Sequence, residues 1–402
     1  MRKQNVAQLP RPPSAPRLRP RLTLLLVSLL VPLSGCAARP LAPPTPRAKS
    51  LVPQAPPESL ATRLLLIGDA GAAAAEGEPV LTALATAAAV DPAHTLVLFL
   101  GDDVYPHGTP DSSASDWPEA MRRLDAQLAV LRSTGAHGIF LPGNHDWDRG
   151  AEGVRRLGRL VAAHAAGLAQ VLPANACPGP AIVDPGPDTP LRLILLDTAW
   201  WLYGGAKPVG PESGCAAPSE HAVLDSVRSA LHTAGRRQAV VLAHHPLMSG
   251  GPHGGHFRWQ DHVFPLRAWR GWMWVPLPLL GSVYPEARLH GISNEDVSGP
   301  RNRAMREGLE QAFAERAPLL YASGHDHGLQ ILTGTSARYL VVSGAGTFGH
   351  LSQVDSLNTT RFARRASGFM RLEVLHNGTA RLGAIVVNAG GEAAEAFALW
   401  LD

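Results

Sequence analysis

The chain has 402 residues, 45% of them apolar and 17% charged, with 36 Lys and Arg against 33 Asp and Glu. That composition is rich enough in apolar residues to bury a sizeable core and excludes a wholly disordered protein. Six of the basic residues (Arg2, Lys3, Arg11, Arg17, Arg19 and Arg21) lie in residues 1–35, which hold no acid; the remainder, with 30 basic and 33 acidic residues, is near −3 and gives no reason to expect a nucleic-acid partner.

In chain order, the basic stretch leads into an apolar run, Leu22 to Leu33, too short to span a bilayer as a helix. The run ends in Leu33-Ser34-Gly35-Cys36, which resembles a bacterial lipobox. Residues 1–35 therefore read as a lipoprotein signal peptide, with Cys36 as the lipid-bearing residue on a cell-envelope protein, facing the periplasm or attached to the outer membrane. The alternative is an ordinary secretory leader with a chance cysteine. Residues 36–60 are rich in Pro and read as an extended linker with a reach of up to about 75 Å. Two further cysteines, Cys177 and Cys215, make an even remainder that favours one disulfide in an oxidising compartment; free buried thiols are the alternative.

From residue 61 to 402 strands and helices alternate. Strand-like runs cover 63–68, 95–101, 138–142, 191–197, 238–243 and 318–323. A helix over Trp117–Leu131 is entered through Ser115-Asp116 with Pro118 in its first turn. Residues 339–343, 368–375 and 379–387 read as later strands, the last two joined by a tight turn at His376-Asn377-Gly378. Residues 247–300 interrupt the alternation with Trp259, Trp269, Trp272 and Trp274. Following a motif directly, they are expected to form a loop insertion walling the site. The simplest expectation for the Trp cluster is packing against the body; a substrate lid or a membrane-interface contact are the alternatives.

Five apolar runs end on residues suited to metal ligation: LLLIGDAG on Asp69, LVLFLGDDVY on Asp102, IFLPGNHD on Asn144 and His145, VVLAHHP on His244, and LLYASGHDHG on His325 and His327. A buried strand that stops at Gly and a ligand places that ligand at the carboxyl edge of a sheet, where open α/β sheets carry their sites. One such segment is an ordinary turn; five in series have no comfortable structural explanation.

These segments resemble the motif series of the calcineurin-like metallophosphoesterases, and most closely the purple and tartrate-resistant acid phosphatases. Gly68-Asp69-Ala70-Gly71 lacks the His two residues after Asp that most phosphodiesterases of the superfamily carry. Tyr105 stands three residues after Asp102, where the purple enzymes supply a phenolate. Gly324-His325-Asp326-His327-Gly328-Leu329-Gln330 matches their last motif, and Leu196-Asp197-Thr198 also fits. Asp103, Trp147 and His245 depart from the pattern. The resemblance spans roughly residues 62 to 350 and implies a four-layer αββα sandwich of two packed mixed sheets.

The resemblance also implies a ligand set. Asp69, Asp102, Tyr105 and His327 would hold one metal; Asp102, Asn144, His244 and His325 would hold the second, with Asp102 bridging. The first set suits Fe(III), the second Zn(II), Fe(II) or Mn(II). His145 would be the leaving-group acid, and His245 and Asn144 would contact substrate, His245 equally well serving as support. Asp146 and Asp326 would orient ligand histidines. His107, His253 and His256 are expected to be solvent-exposed. The activity implied is hydrolysis of a small phosphate monoester by metal-bound hydroxide. Rivals are a phosphodiesterase or nucleotide pyrophosphatase, and a non-catalytic envelope binding protein.

Overall fold

A computed structural model describes residues 52–402 apart from 55, 187 and 269–271. The expected signal peptide at 1–35, Cys36 and most of the expected linker lie outside the described residues. The first half runs β1 (Leu60–Ile67), α1 (Pro79–Ala88), β2 (Thr95–Phe99), α2 (Trp117–Thr134), β3 (His137–Phe140), α3 (Gly150–His164), β4 (Ala169–Val171), β5 (Ala181–Val183), β6 (Leu191–Leu195), α4 (Thr198–Leu202), α5 (Glu220–His232) and β7 (Gln238–Leu242). The second half runs α6 (Trp259–Val263), α7 (Val283–Leu289), α8 (Pro300–Phe313), β8 (Leu320–Ser323), β9 (Leu329–Thr333), β10 (Tyr339–Ser343), β11 (Thr360–Arg364), β12 (Gly368–Leu375), β13 (Ala380–Val387) and β14 (Ala393–Leu401).

Among the described residues the strands form two mixed seven-stranded sheets, in the orders β14-β13-β12-β1-β2-β3-β4 and β11-β9-β10-β8-β7-β6-β5. The inner core holds residues from both sheets, including Leu64, Leu98 and Leu372 of the first and Leu193, Val240 and Ile331 of the second. Alternate residues of the first sheet, Leu65, Val97 and Phe140, pack with Leu84 of α1, Leu128 of α2 and Leu157 of α3. On the second sheet Ile194 and Val241 pack with Val227 of α5 and Leu309 of α8. The result is the four-layer αββα sandwich. Both sheet faces are covered, which is why the central strands read as continuous apolar runs rather than alternating ones.

Every strand read from the sequence is present, with ends within three residues of those expected. β4, β5, β9, β11 and β14 were not anticipated. β4 and β5 span three residues each, and β11 and β14 carry charged residues at exposed edges. Cys177 and Cys215 form a disulfide, with Cα atoms 5.5 Å apart.

Two further findings bear on position. The last residues of the Pro-rich stretch are held to the body: Arg381 donates from Nε to the Pro53 carbonyl (3.1 Å) and from Nη2 to that of Val52 (3.2 Å). Arg381 is fully buried and is itself paired with Glu373 and Glu395. The insertion, in turn, splits in character. Its ends wall the site, but Trp259, Trp272 and Trp274 are 66%, 77% and 54% exposed, so packing of these three on the body is not what the structure adopts. No helix among the described residues is long and apolar enough to cross a membrane.

Candidate metal centre

Parallel pairing of β1, β2 and β3 brings Asp69, Asp102 and Asn144 to one edge of the first sheet, and β7 and β8 bring His244 and His325 to the matching edge of the second. The sheets are stitched there by backbone bonds, Gly68 N–H to the Ser343 carbonyl (2.8 Å) and Gly346 N–H to that of Gly68 (3.0 Å). Asp69, Asp102 and His325 adopt left-handed φ angles of 59°, 57° and 70°. Non-glycine residues held there mark positions where the fold spends strain on aiming a side chain.

The first donor group is compact. The Tyr105 hydroxyl oxygen lies 3.0 Å from Asp69 Oδ1, 2.9 Å from Asp102 Oδ2 and 3.2 Å from His327 Nε2, and His327 Nε2 lies 3.2 Å from Asp69 Oδ1. One phenolic proton can serve only one of these neighbours. Burial pushes the Tyr105 phenol well above its ordinary value, and the Asp102 and Asp69 charges push the same way. Burial also raises Asp69, but the hydrogen bond and charge of His327 outweigh it and hold the carboxyl at about 2.

The second group is proton-poor in another way. Asn144 Oδ1 lies 3.0 Å from both His244 Nε2 and His325 Nδ1, which are 3.3 Å apart. His244 Nδ1 is 2.8 Å from the Leu100 carbonyl and His325 Nε2 is 3.1 Å from that of Glu295, so each ring places its proton there and turns its lone pair inward. Burial first, then His253, His245 and His244, holds His325 well below its ordinary value and therefore neutral. Asp102 belongs to both groups, with Oδ2 at Tyr105 and Oδ1 at 3.5 Å from His244 Nε2. In the first group one phenolic proton serves at most one of several acceptors, in the second three lone pairs converge with no hydrogen between them, and the two groups share Asp102, an arrangement that fits two cations. No other occupant satisfies so many buried lone pairs at once.

His145 stands at the rim. Its Nδ1 donates to the Pro106 carbonyl (2.6 Å), and its Nε2 lies 4.0 Å from Asp102 Oδ2, facing the first group. His107 is solvent-exposed and pairs with Asp148, as expected.

Two side chains, Asp146 and Asp326, take places other than those the sequence indicated, and His245 takes one of the two it allowed. His245 is wholly buried, with Nδ1 3.0 Å from Thr198 Oγ1 and Nε2 2.7 Å from Glu295 Oε2. Both ring nitrogens are engaged by the protein, which matches the supporting alternative. Asp146 accepts from the backbone N–H groups of Asp103, Val104 and Gly143, not from a ligand histidine; burial, reinforced by Asp102, lifts its carboxyl to about 7. Asp326 likewise accepts from the His253 backbone N–H (3.2 Å).

His253 and His350 join the site without having been singled out for it. The His253 ring lies 3.8 Å from that of His325, and its Nδ1 is 2.9 Å from Asp296 Oδ1, so it is not the free surface histidine expected. The His350 ring lies 4.0 Å from that of His327 and 5.4 Å from that of Tyr105. A signal for His350 was present: it follows Ser343-Gly344-Ala345-Gly346, another apolar strand ending in glycine at the same edge. Glu295 carries no local signal, since it lies deep in the insertion.

A cavity of about 580 Å³ lined by His94, His137 and Thr189 lies at the opposite ends of the strands, away from these donors.

No protein-family model matches the sequence and no curated protein matches it. Solved structures do. The chain is similar to the purple acid phosphatase PPD1 from yellow lupin (Lupinus luteus) seeds, with TM-score 0.52 and 15% identity over 84% of this chain and 53% of that one. It is also similar to PhoD, with TM-score 0.51 and 12% identity over 84% of this chain and 69% of that one. It thus spans about half the length of the lupin protein. At these identities the likeness is one of fold alone.

Proposed function

We propose that the chain is a binuclear metal-dependent phosphoric ester hydrolase acting on small phosphate monoesters. The observation that carries this reading is the pair of proton-poor donor groups joined through Asp102. Asp69, Asp102, Tyr105 and His327 would hold one ion, and Asp102, Asn144, His244 and His325 the other. Bound there, the cations supply Lewis acidity to the phosphoryl group and to an attacking water. As the imidazolium, with its Nδ1 proton held by the Pro106 carbonyl, His145 would give its Nε2 proton to the departing ester oxygen. His253 and Asn144 line the place the phosphoryl group would take.

A phosphodiesterase or pyrophosphatase is the nearest rival, and Gly71 weighs against the usual phosphodiesterase site. A Cβ built on Gly71 would stand 2.5 Å from the carbonyl oxygens of Asp102 and Asp103, so no histidine fits two residues after Asp69. The deciding experiment measures metal content alongside turnover of an aryl phosphate and of a bis-aryl phosphodiester. Two ions per chain with a clear preference for the monoester supports the reading. Preference for the diester would transfer it to the rival, and metal-free, inert protein would leave a binding role.

The oxygen-rich first group suits Fe(III), the second Zn(II), Fe(II) or Mn(II). Loaded with Fe(III), the protein should absorb in the visible through the Tyr105 phenolate. Tyr105→Phe should abolish that band while iron content and fold persist. A coloured, iron-loaded variant with an unchanged spectrum would remove Tyr105 from the ligand set.

We further propose lipid attachment at Cys36. Cys36→Ser should move the protein from the membrane to the soluble fraction or leave it unprocessed; membrane recovery at the normal processed mass would sink this assignment.

A further inference from the structure

A second cavity, of about 390 Å³, lies between the insertion and the segment after β10. It borders the metal centre on two sides. Pro252 in its wall precedes His253, whose ring stacks on His325, and Ser352 in its wall donates its backbone N–H to the His327 carbonyl (2.9 Å). Its chemistry differs from that of the centre. Three arginines line it, Arg258, Arg288 and Arg365, against one acid, Asp261. Arg288 is committed: its Nε donates to buried Asp296 (2.9 Å), and its guanidinium lies 5.5 Å from the Phe257 ring and 5.7 Å from the Tyr284 ring. This pins two aromatic walls in place. The guanidiniums of Arg258 and Arg365, by contrast, have only neutral hydrogen-bond partners among the described residues, Gln353 and the Leu351 carbonyl.

Two uncommitted guanidiniums beside aromatic walls, next to a centre that would hold a phosphoryl group, suit an anionic group followed by a flat ring. We propose that this cavity binds the leaving-group portion of a phosphoester carrying a second anion and an aromatic ring, for which a nucleoside diphosphate is the simplest probe. The inference rests on the phosphoesterase reading for its chemistry, but the binding it asserts does not depend on turnover.

The test compares the metal-loaded wild type with the double variant Arg258→Ala, Arg365→Ala. Both side chains are exposed, so the fold does not depend on them. The ratio of kcat/KM for ADP to that for p-nitrophenyl phosphate should fall about 10- to 100-fold, the loss expected for charge-assisted hydrogen bonds. An unchanged ratio overturns the assignment. Titration of ADP into both proteins, followed by calorimetry, separates the two readings. If the wild type binds ADP about tenfold or more tightly than the variant while neither protein turns over any ester, the cavity stands and the enzymatic reading fails. If both bind ADP equally, the cavity assignment fails whatever the activity.

Discussion

Asp102→Asn should release both metal ions and lower kcat/KM on an aryl phosphate by about 10³- to 10⁵-fold, the scale set by losing several kcal/mol of charge stabilisation. The substitution hardly changes volume, so the argument is purely one of charge and proton count. Asp102 Oδ1 accepts the His145 backbone N–H (2.9 Å) and Oδ2 sits 2.9 Å from the Tyr105 hydroxyl. An amide must turn its NH₂ toward one of these positions, where it either opposes a donor or occupies the space of a cation. Its remaining oxygen is neutral and cannot serve two ions. Metal analysis and kinetics on the same preparation check this. Retention of two ions with near-normal turnover would show that Asp102 does not bridge.

His145→Ala should behave differently: both ions stay, and the rate falls by about 10²- to 10⁴-fold, the usual contribution of a positioned acid. The loss should depend on the leaving group. Nitrophenolate departs without help, so an aryl phosphate should slow least. An alkoxide needs a proton as the bond breaks, so an alkyl phosphate should slow most. The geometry motivates this, since the Pro106 carbonyl fixes the Nδ1 proton and leaves Nε2 facing the centre. Equal slowing of alkyl and aryl esters would reduce His145 to a phosphate-binding or supporting group.

How much of this was legible in the sequence follows from where each residue gets its position. Asp69, Asp102, Asn144, His244 and His325 end buried parallel strands, so the apolar run and the ligand are read together, and the sheet edge does the rest. His245 was ambiguous because alternation along a strand end does not say which way the side chain turns; only Thr198 and Glu295, from separate segments, settle it. Asp146 and Asp326 were adjacent to ligands in sequence, yet their carboxylates serve backbone N–H groups that only the folded loops bring near. His253 and Glu295 owe their places to the insertion, whose path has no period to read. The exposed Trp residues ran against expectation for the same reason: composition gives their hydrophobicity but not the face on which a long loop leaves them.

Arg381 has one more effect. It stands second in β13, opposite Glu373 of β12, which in turn faces Arg63 near the start of β1, and β1 reaches Asp69 only at its other end. The Pro-rich stretch is therefore fastened at the side of the sandwich remote from the ions. A chain pulled at residue 52 would therefore load Arg381 and the edge of the first sheet before it reached the strand ends that carry the donors.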